Sequence, residues 1–154
     1  MSNVLNLAGA TPSGGFDPIP SGRYEANVFE VEMIEVEKED GKLPFGTPGI
    51  SVQFAINGGP FDNRRLWRRY YFPPESYEKA KTMKDMLAGF FVGIGYTTED
   101  VTSGNFIVDP DDMAGRPCEI TVGTRTYDGE IYNDVKAVRP IGSTTAVQSG
   151  SGIL

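Results

Sequence analysis

The sequence predicts a mainly β domain in which one helix separates a run of three strands from a run of two. Three observations carry this. Apolar residues alternate with polar ones in five short segments, which is the period of a half-buried strand. Only one segment repeats its apolar residues at steps of three and four, the period of a helix. Nineteen glycines and eleven prolines, about a fifth of the 154 residues, punctuate the remainder with turns.

The first strand is expected over residues 23–38. Tyr24, Ala26 and Val28 share one face. The apolar phase then passes to Phe29, Val31 and Met33, and again to Ile34 and Val36. A strand changes phase only by inserting a residue, so two bulges and a bent strand are expected. Residues 39–49 form a turn-rich loop. The second strand, residues 50–57, alternates Ile50, Val52, Phe54 and Ile56 with smaller or polar residues. A turn over 57–63 leads to a third strand over 64–72, which Pro73 and Pro74 end.

The helix is expected over 75–94, with Tyr77, Ala80, Met83, Leu87, Phe90 and Ile94 on one stripe. Gly93 and Gly95 are expected to stop it. In the loop that follows, Thr97 or Thr98 is placed to cap a turn at Glu99 and Asp100. Cys118, Ile120 and Val122 mark the fourth strand. Asp128-Gly129 marks a hairpin turn, and residues 132–138 form the fifth strand with imperfect alternation. A ferredoxin-like fold needs a second helix, which the pattern lacks. Three strands, a helix and two strands, with a long bent first strand, is the layout of the OB-fold. That fold is a five-stranded Greek-key barrel that binds oligonucleotides or oligosaccharides on its second and third strands and nearby loops. The packed domain is expected over residues 16–141. Residues 1–15 and 142–154 are small, aperiodic and uncharged, and are expected to be flexible tails.

Composition excludes several chemistries. The chain has no histidine, so catalytic triads built on His and His-bound metals are absent. Cys118 is the single cysteine, which removes internal disulfides and CxxC motifs and reads as a small buried side chain. The acidic run at Asp109, Asp111 and Asp112 fails the EF-hand spacing and reads as a turn or cap. VGIGY lacks the third glycine of a dinucleotide loop and follows a helix. The glutamates of the first strand offer carboxylate pairs but read as solvated positions. No catalytic residue, metal site or cofactor is expected. No stretch approaches the ~18 apolar residues of a membrane span, and the first residues lack the features of a signal peptide.

The net charge is −7, which gives no whole-molecule pull toward nucleic acid. Its distribution is more informative. Residues 23–40 hold seven acids and two bases, whereas residues 64–84 hold seven bases and two acids. The centre of the basic region is the third strand. Alternation puts Arg65, Trp67, Arg69 and Tyr71 on one face, and Arg64, Leu66, Arg68, Tyr70 and Phe72 on the other. The second set is more apolar and is expected to face the core, with Arg68 its uncomfortable member. Flat π-surfaces for bases interleaved with cations for phosphates are what single-stranded nucleic acid requires. The competing reading is structural: arginines can guard an edge strand or pair with the glutamates of the first strand.

The segments GRYEANVFEVE at 22–32, VQFAINGGPFDNRRLWRRYYF at 52–72, DPDDMAGRPCEITV at 109–122 and IYNDVKAVRP at 131–140, with the helix between, resemble phage single-stranded DNA-binding proteins. Many members of that family are catalogued as a domain of unknown function. The resemblance covers about residues 16–141 and rests on the order of loosely matching segments. It implies an OB-fold and a non-catalytic role on single-stranded DNA in phage replication or recombination, in the cytoplasm of the host cell. Arg64, Arg65, Arg68 and Arg69 would track phosphates, and Trp67 and Tyr71 would stack on bases. Homo-oligomers and contacts with replication or recombination proteins are compatible with it. Many such proteins recruit partners through an acidic tail, whereas residues 142–154 carry no charge, a departure that speaks against recruitment by that route. The alternative is a phage accessory or assembly protein that uses the same barrel to hold a protein partner.

Overall fold

In the computed structural model, residues 4–8, 18–37 and 43–141 are described. Three strands come first: β1 (Gly22–Glu35), β2 (Pro48–Ile56) and β3 (Arg65–Tyr71). The helix α1 (Ala80–Gly93) and two single-turn helices, α2 (Thr98–Val101) and α3 (Pro110–Met113), follow. The strands β4 (Pro117–Tyr127) and β5 (Glu130–Arg139) complete the fold. All five strands form one antiparallel sheet in the order β3-β2-β1-β4-β5. The mainly β layout, with the long helix between the third and fourth strands, is therefore as the sequence predicts. The expected tails fall outside the described residues, except residues 4–8, which are exposed.

The register of β1 corrects the expectation of two bulges. Val28 pairs with Phe54 and Glu30 with Gln53, so Phe29 is an extra residue. Beyond it the ladder runs unbroken through Met33–Ile50 and Ile34–Gly49. Met33 is simply exposed there, because a single apolar side chain in water costs little and demands no bulge. A second bulge lies where the sequence showed only irregular alternation: Thr121 pairs with Ala137 and Val122 with Val135, which leaves Lys136 unmatched on β5. The β4–β5 turn is as expected. Asp128 and Gly129 both have positive φ, 54° and 81°, as a type I′ hairpin requires.

The inner face of the sheet carries Val28, Ile50, Val52, Phe54, Ile120 and Val122, all buried. The α1 helix covers it with Leu87, Phe90, Phe91 and Ile94. Phe90 stacks on Tyr70 with ring centroids 4.7 Å apart and meets Phe54 edge-on at 6.2 Å. Cys118 is fully buried in this core, and burial pushes its thiol up to about 12.

The helix starts five residues later than its stripe suggests. Residues 75–79 form turns instead, with the Tyr77 amide donating to Pro74 and the Ala80 amide to Tyr77, each at 3.0 Å. Lys79 offers no side-chain cap and the first turn carries no acid, so nothing extends the helix backwards. The helix ends at Gly95, whose φ is +108°. Gly93, the last residue of the helix, also makes room for a neighbour: a Cβ there would sit 2.6 Å from the Val138 carbonyl oxygen, so its absence lets α1 touch β5.

Thr97 caps α2, its hydroxyl accepting from the Asp100 amide at 3.1 Å. Asp109 caps α3 by accepting from the Asp111 amide, also at 3.1 Å, which is the capping reading of the acidic run. The Asp112 carboxylate accepts from the Tyr96 hydroxyl at 2.6 Å and from Arg116 at 2.9 Å. Those two hydrogen bonds hold its carboxyl below the usual range. Among the described residues no helix is long and apolar enough to cross a membrane.

Candidate nucleic-acid interface

The sheet is open, with β3 and β5 as its edges, yet the two edges approach one another. Arg68 spans the gap, its guanidinium donating to the Val135 carbonyl on β5. A groove runs along this seam. One stretch, about 300 Å³, is lined by Arg64, Arg65 and Trp67 from the β3 side and by Arg125, Ile131 and Tyr132 from the hairpin. The next, about 490 Å³, is lined by Trp67, Arg68 and Arg69 against Asp134, Val135 and Lys136. Trp67 belongs to both stretches. Residues rise in number along both walls together, so β3 and β5 run in the same direction beside the groove.

The faces of β3 are as alternation sorted them. Leu66 and Tyr70 are buried, whereas Trp67 is 58% exposed and Arg69 is exposed. Each site residue has a distinct environment. The guanidinium carbon of Arg65 lies over the Phe29 ring, 3.6 Å from its centroid, and its Nε and Nη2 donate to Asn63. Phe29 follows the buried Val28 and so lies on the outer face, and the bulge there returns Val31 to the core face. One side of the guanidinium plane is thereby fixed on an aromatic, and the arginine is pre-ordered. Tyr71 lies across Gly49 of β2, where a Cβ would come 2.7 Å from its Cδ1. Arg64 precedes β3 and lines the first stretch of the groove.

Arg68 is the residue the sequence placed uneasily. It is on the inner side, half-buried, with its guanidinium 4.9 Å from the Tyr70 ring centroid. At the open seam an inward cation reaches a β5 carbonyl and the groove, so it is not buried unpaired.

Three further groove residues escaped the sequence reading. Arg125 stacks over Tyr132 at 5.1 Å and pairs with Asp134 at 2.8 Å. Lys136 is the bulged residue of β5, and its chain lies over Gly123, where a Cβ would sit 2.8 Å from its Cε. Its ammonium is 3.4 Å from Asp134. The irregular alternation of β5 was the trace of that bulge.

The acidic strip of β1 shares the outer face. Register places Glu30, Gln53 and Trp67 in one row and Glu32, Ser51 and Arg69 in the next. Glutamate and arginine are thus two strands apart, about 10 Å at ~4.8 Å per strand spacing. Among the described residues no ion pair joins Arg65, Arg68 or Arg69 to a β1 glutamate. The pairing alternative therefore does not describe this face. The edge-strand alternative does hold in part, since β3 is an edge and arginines there also discourage sheet extension.

No curated protein matches the chain. A family model described as protein of unknown function (DUF669) matches residues 6–149, nearly the whole sequence. The chain belongs to the DUF669 family.

Proposed function

We propose that this protein binds single-stranded DNA along the β3–β5 groove, without a chemical step, as an OB-type barrel serving phage DNA replication or recombination. The strand order supports the barrel reading: β1 is shared between β2 and β4, and the edges β3 and β5 converge below a helix inserted between β3 and β4. The observation that carries the functional reading is Trp67. A tryptophan 58% exposed, between Arg65 and Arg69 and central to the groove, leaves its ring face open to a base. Arg64, Arg65, Arg68 and Arg69, joined by Arg125 and Lys136, supply cations along the track. Tyr71 offers a second ring. The β1 glutamates repel phosphate and confine the strand to the seam side.

The test is a titration with oligo-dT followed by the fluorescence of Trp67, the single tryptophan of the chain. Binding should quench it, and Trp67→Ala should weaken affinity by about 1–3 kcal/mol. With three or four phosphates neutralised, log K should fall against log salt with a slope of about −2 to −3, and Arg65→Ala with Arg69→Ala should flatten that slope by about one unit. An unquenched Trp67 and a salt-independent protein would favour the protein-interaction alternative.

A further inference from the structure

Beyond Lys136 the groove continues beneath α1. A pocket of about 180 Å³ opens there, sharing Arg68 and Lys136 with the groove. Its walls are Tyr70, Phe90, Met86 and Val138, and Gly89 of α1 forms part of its lining. Two features of this pocket are unusual. Gly89 stands in the middle of a helix, where glycine is unfavourable, and a Cβ there would meet nothing within 4 Å. Close packing therefore does not explain it, in contrast to Gly93. Tyr70 is only 7% exposed, and among the described residues its hydroxyl has no hydrogen-bond partner. Buried hydroxyls are ordinarily paired, because leaving one unpaired is costly.

Both features fit a pocket kept open for a ligand that brings its own hydrogen-bond acceptor. The volume is below the ~300–1,000 Å³ of sites for drug-sized molecules, so the occupant is a single small group. Aromatic and apolar walls favour a flat ring. The two cations at the mouth favour an anion attached to it.

We propose that this pocket takes one nucleobase of the bound strand, unstacked from its neighbours, with the Tyr70 hydroxyl donating to the base and its phosphate held between Arg68 and Lys136. The proposal rests on the groove reading above and adds to it a defined end: the strand runs along the seam and turns one base inward under α1. A base enters edge-on against the Phe90 and Tyr70 rings and fills the space beside Gly89. Met86, exposed at the rim, can move aside, since an unbranched thioether changes rotamer readily.

The experiment uses the full chain, a labelled oligo-dT read by anisotropy, and an abasic deoxyribose-phosphate strand of the same length. Gly89→Leu adds bulk to the pocket's lining at an exposed position, without a backbone clash. It should weaken oligo-dT binding about tenfold, the loss of roughly one base's contacts, while Trp67 is still quenched at saturation. Tyr70→Phe keeps the ring and removes the hydroxyl; it should weaken oligo-dT severalfold without lowering the melting temperature. The abasic strand should bind both variants and the unaltered protein alike. If a folded Gly89→Leu protein and a folded Tyr70→Phe protein both bind oligo-dT with unaltered affinity while Trp67→Ala weakens it, the pocket takes no base and the groove reading stands. If the unaltered protein does not bind oligo-dT at all, the groove reading fails and the pocket proposal fails with it.

Discussion

Phe90→Ala is expected to destabilise the protein by about 3–5 kcal/mol, the range for deleting a large aromatic from a packed core. Phe90 is 2% exposed and touches aromatic rings on three sides: Tyr70 at 4.7 Å, Phe91 at 5.3 Å and Phe54 at 6.2 Å. These partners come from β2, β3 and α1, so the ring is where the helix is fastened to the sheet. Neighbouring rings are too large to fold into the space it would leave, and the cavity persists. Against a typical total stability of about 5–15 kcal/mol, such a loss is severe. Denaturant unfolding measures it. A loss below about 1 kcal/mol would mean that α1 is not seated on the sheet as described.

Gly93→Ala is expected to be the next most damaging change, at about 1–3 kcal/mol. Helix propensity alone would favour alanine by about 1 kcal/mol. The added methyl, however, would lie 2.6 Å from the Val138 carbonyl oxygen and 2.8 Å from its carbon, and neither is a flexible side chain. The helix must lift from β5 or β5 must bend. One turn earlier, Gly89→Ala meets open space and should stabilise by about 0.5–1 kcal/mol. The pair shares a helix, a residue type and a substitution, so opposite signs in thermal melts isolate packing from propensity. Equal signs would contradict the close approach of α1 to β5.

Much of this was legible in the residues. Clean alternation located β2, and the Asp128-Gly129 pair located the hairpin, because both are local rules with little competition. The sorting of β3 into two faces held because Leu66 and Tyr70 outweigh Arg68 on the inner side. The start of α1 differs from the apolar stripe because Tyr77 continues the stripe, while the missing cap and the preceding prolines decide where a helix can begin. Gly93 and Gly95 mark the end of α1 as the sequence suggests, but sequence alone cannot separate a glycine required by conformation, Gly95, from one required by a neighbour, Gly93. The far wall of the groove was invisible for a different reason. Arg125, Tyr132 and Lys136 join Trp67 only through the curl of the sheet, and no spacing along the chain encodes that meeting.

The strand pairings divide by distance along the chain. β1–β2–β3 form a meander over residues 22–71, and β4–β5 a hairpin over 117–139. Among the described residues one ladder joins them, the β1–β4 pairing, which runs from Gly22 with Val122 to Asn27 with Pro117. Closing so long an intervening loop is the largest chain-entropy cost of any pairing in the fold. The groove takes one wall from the meander and the other from the hairpin. A chain in which both halves have formed but that ladder is open has every arginine and aromatic of β3 in place and no groove. Formation of the groove is therefore a property of the closing step, and a lesion along residues 22–27 would remove it from the opposite side of the sheet.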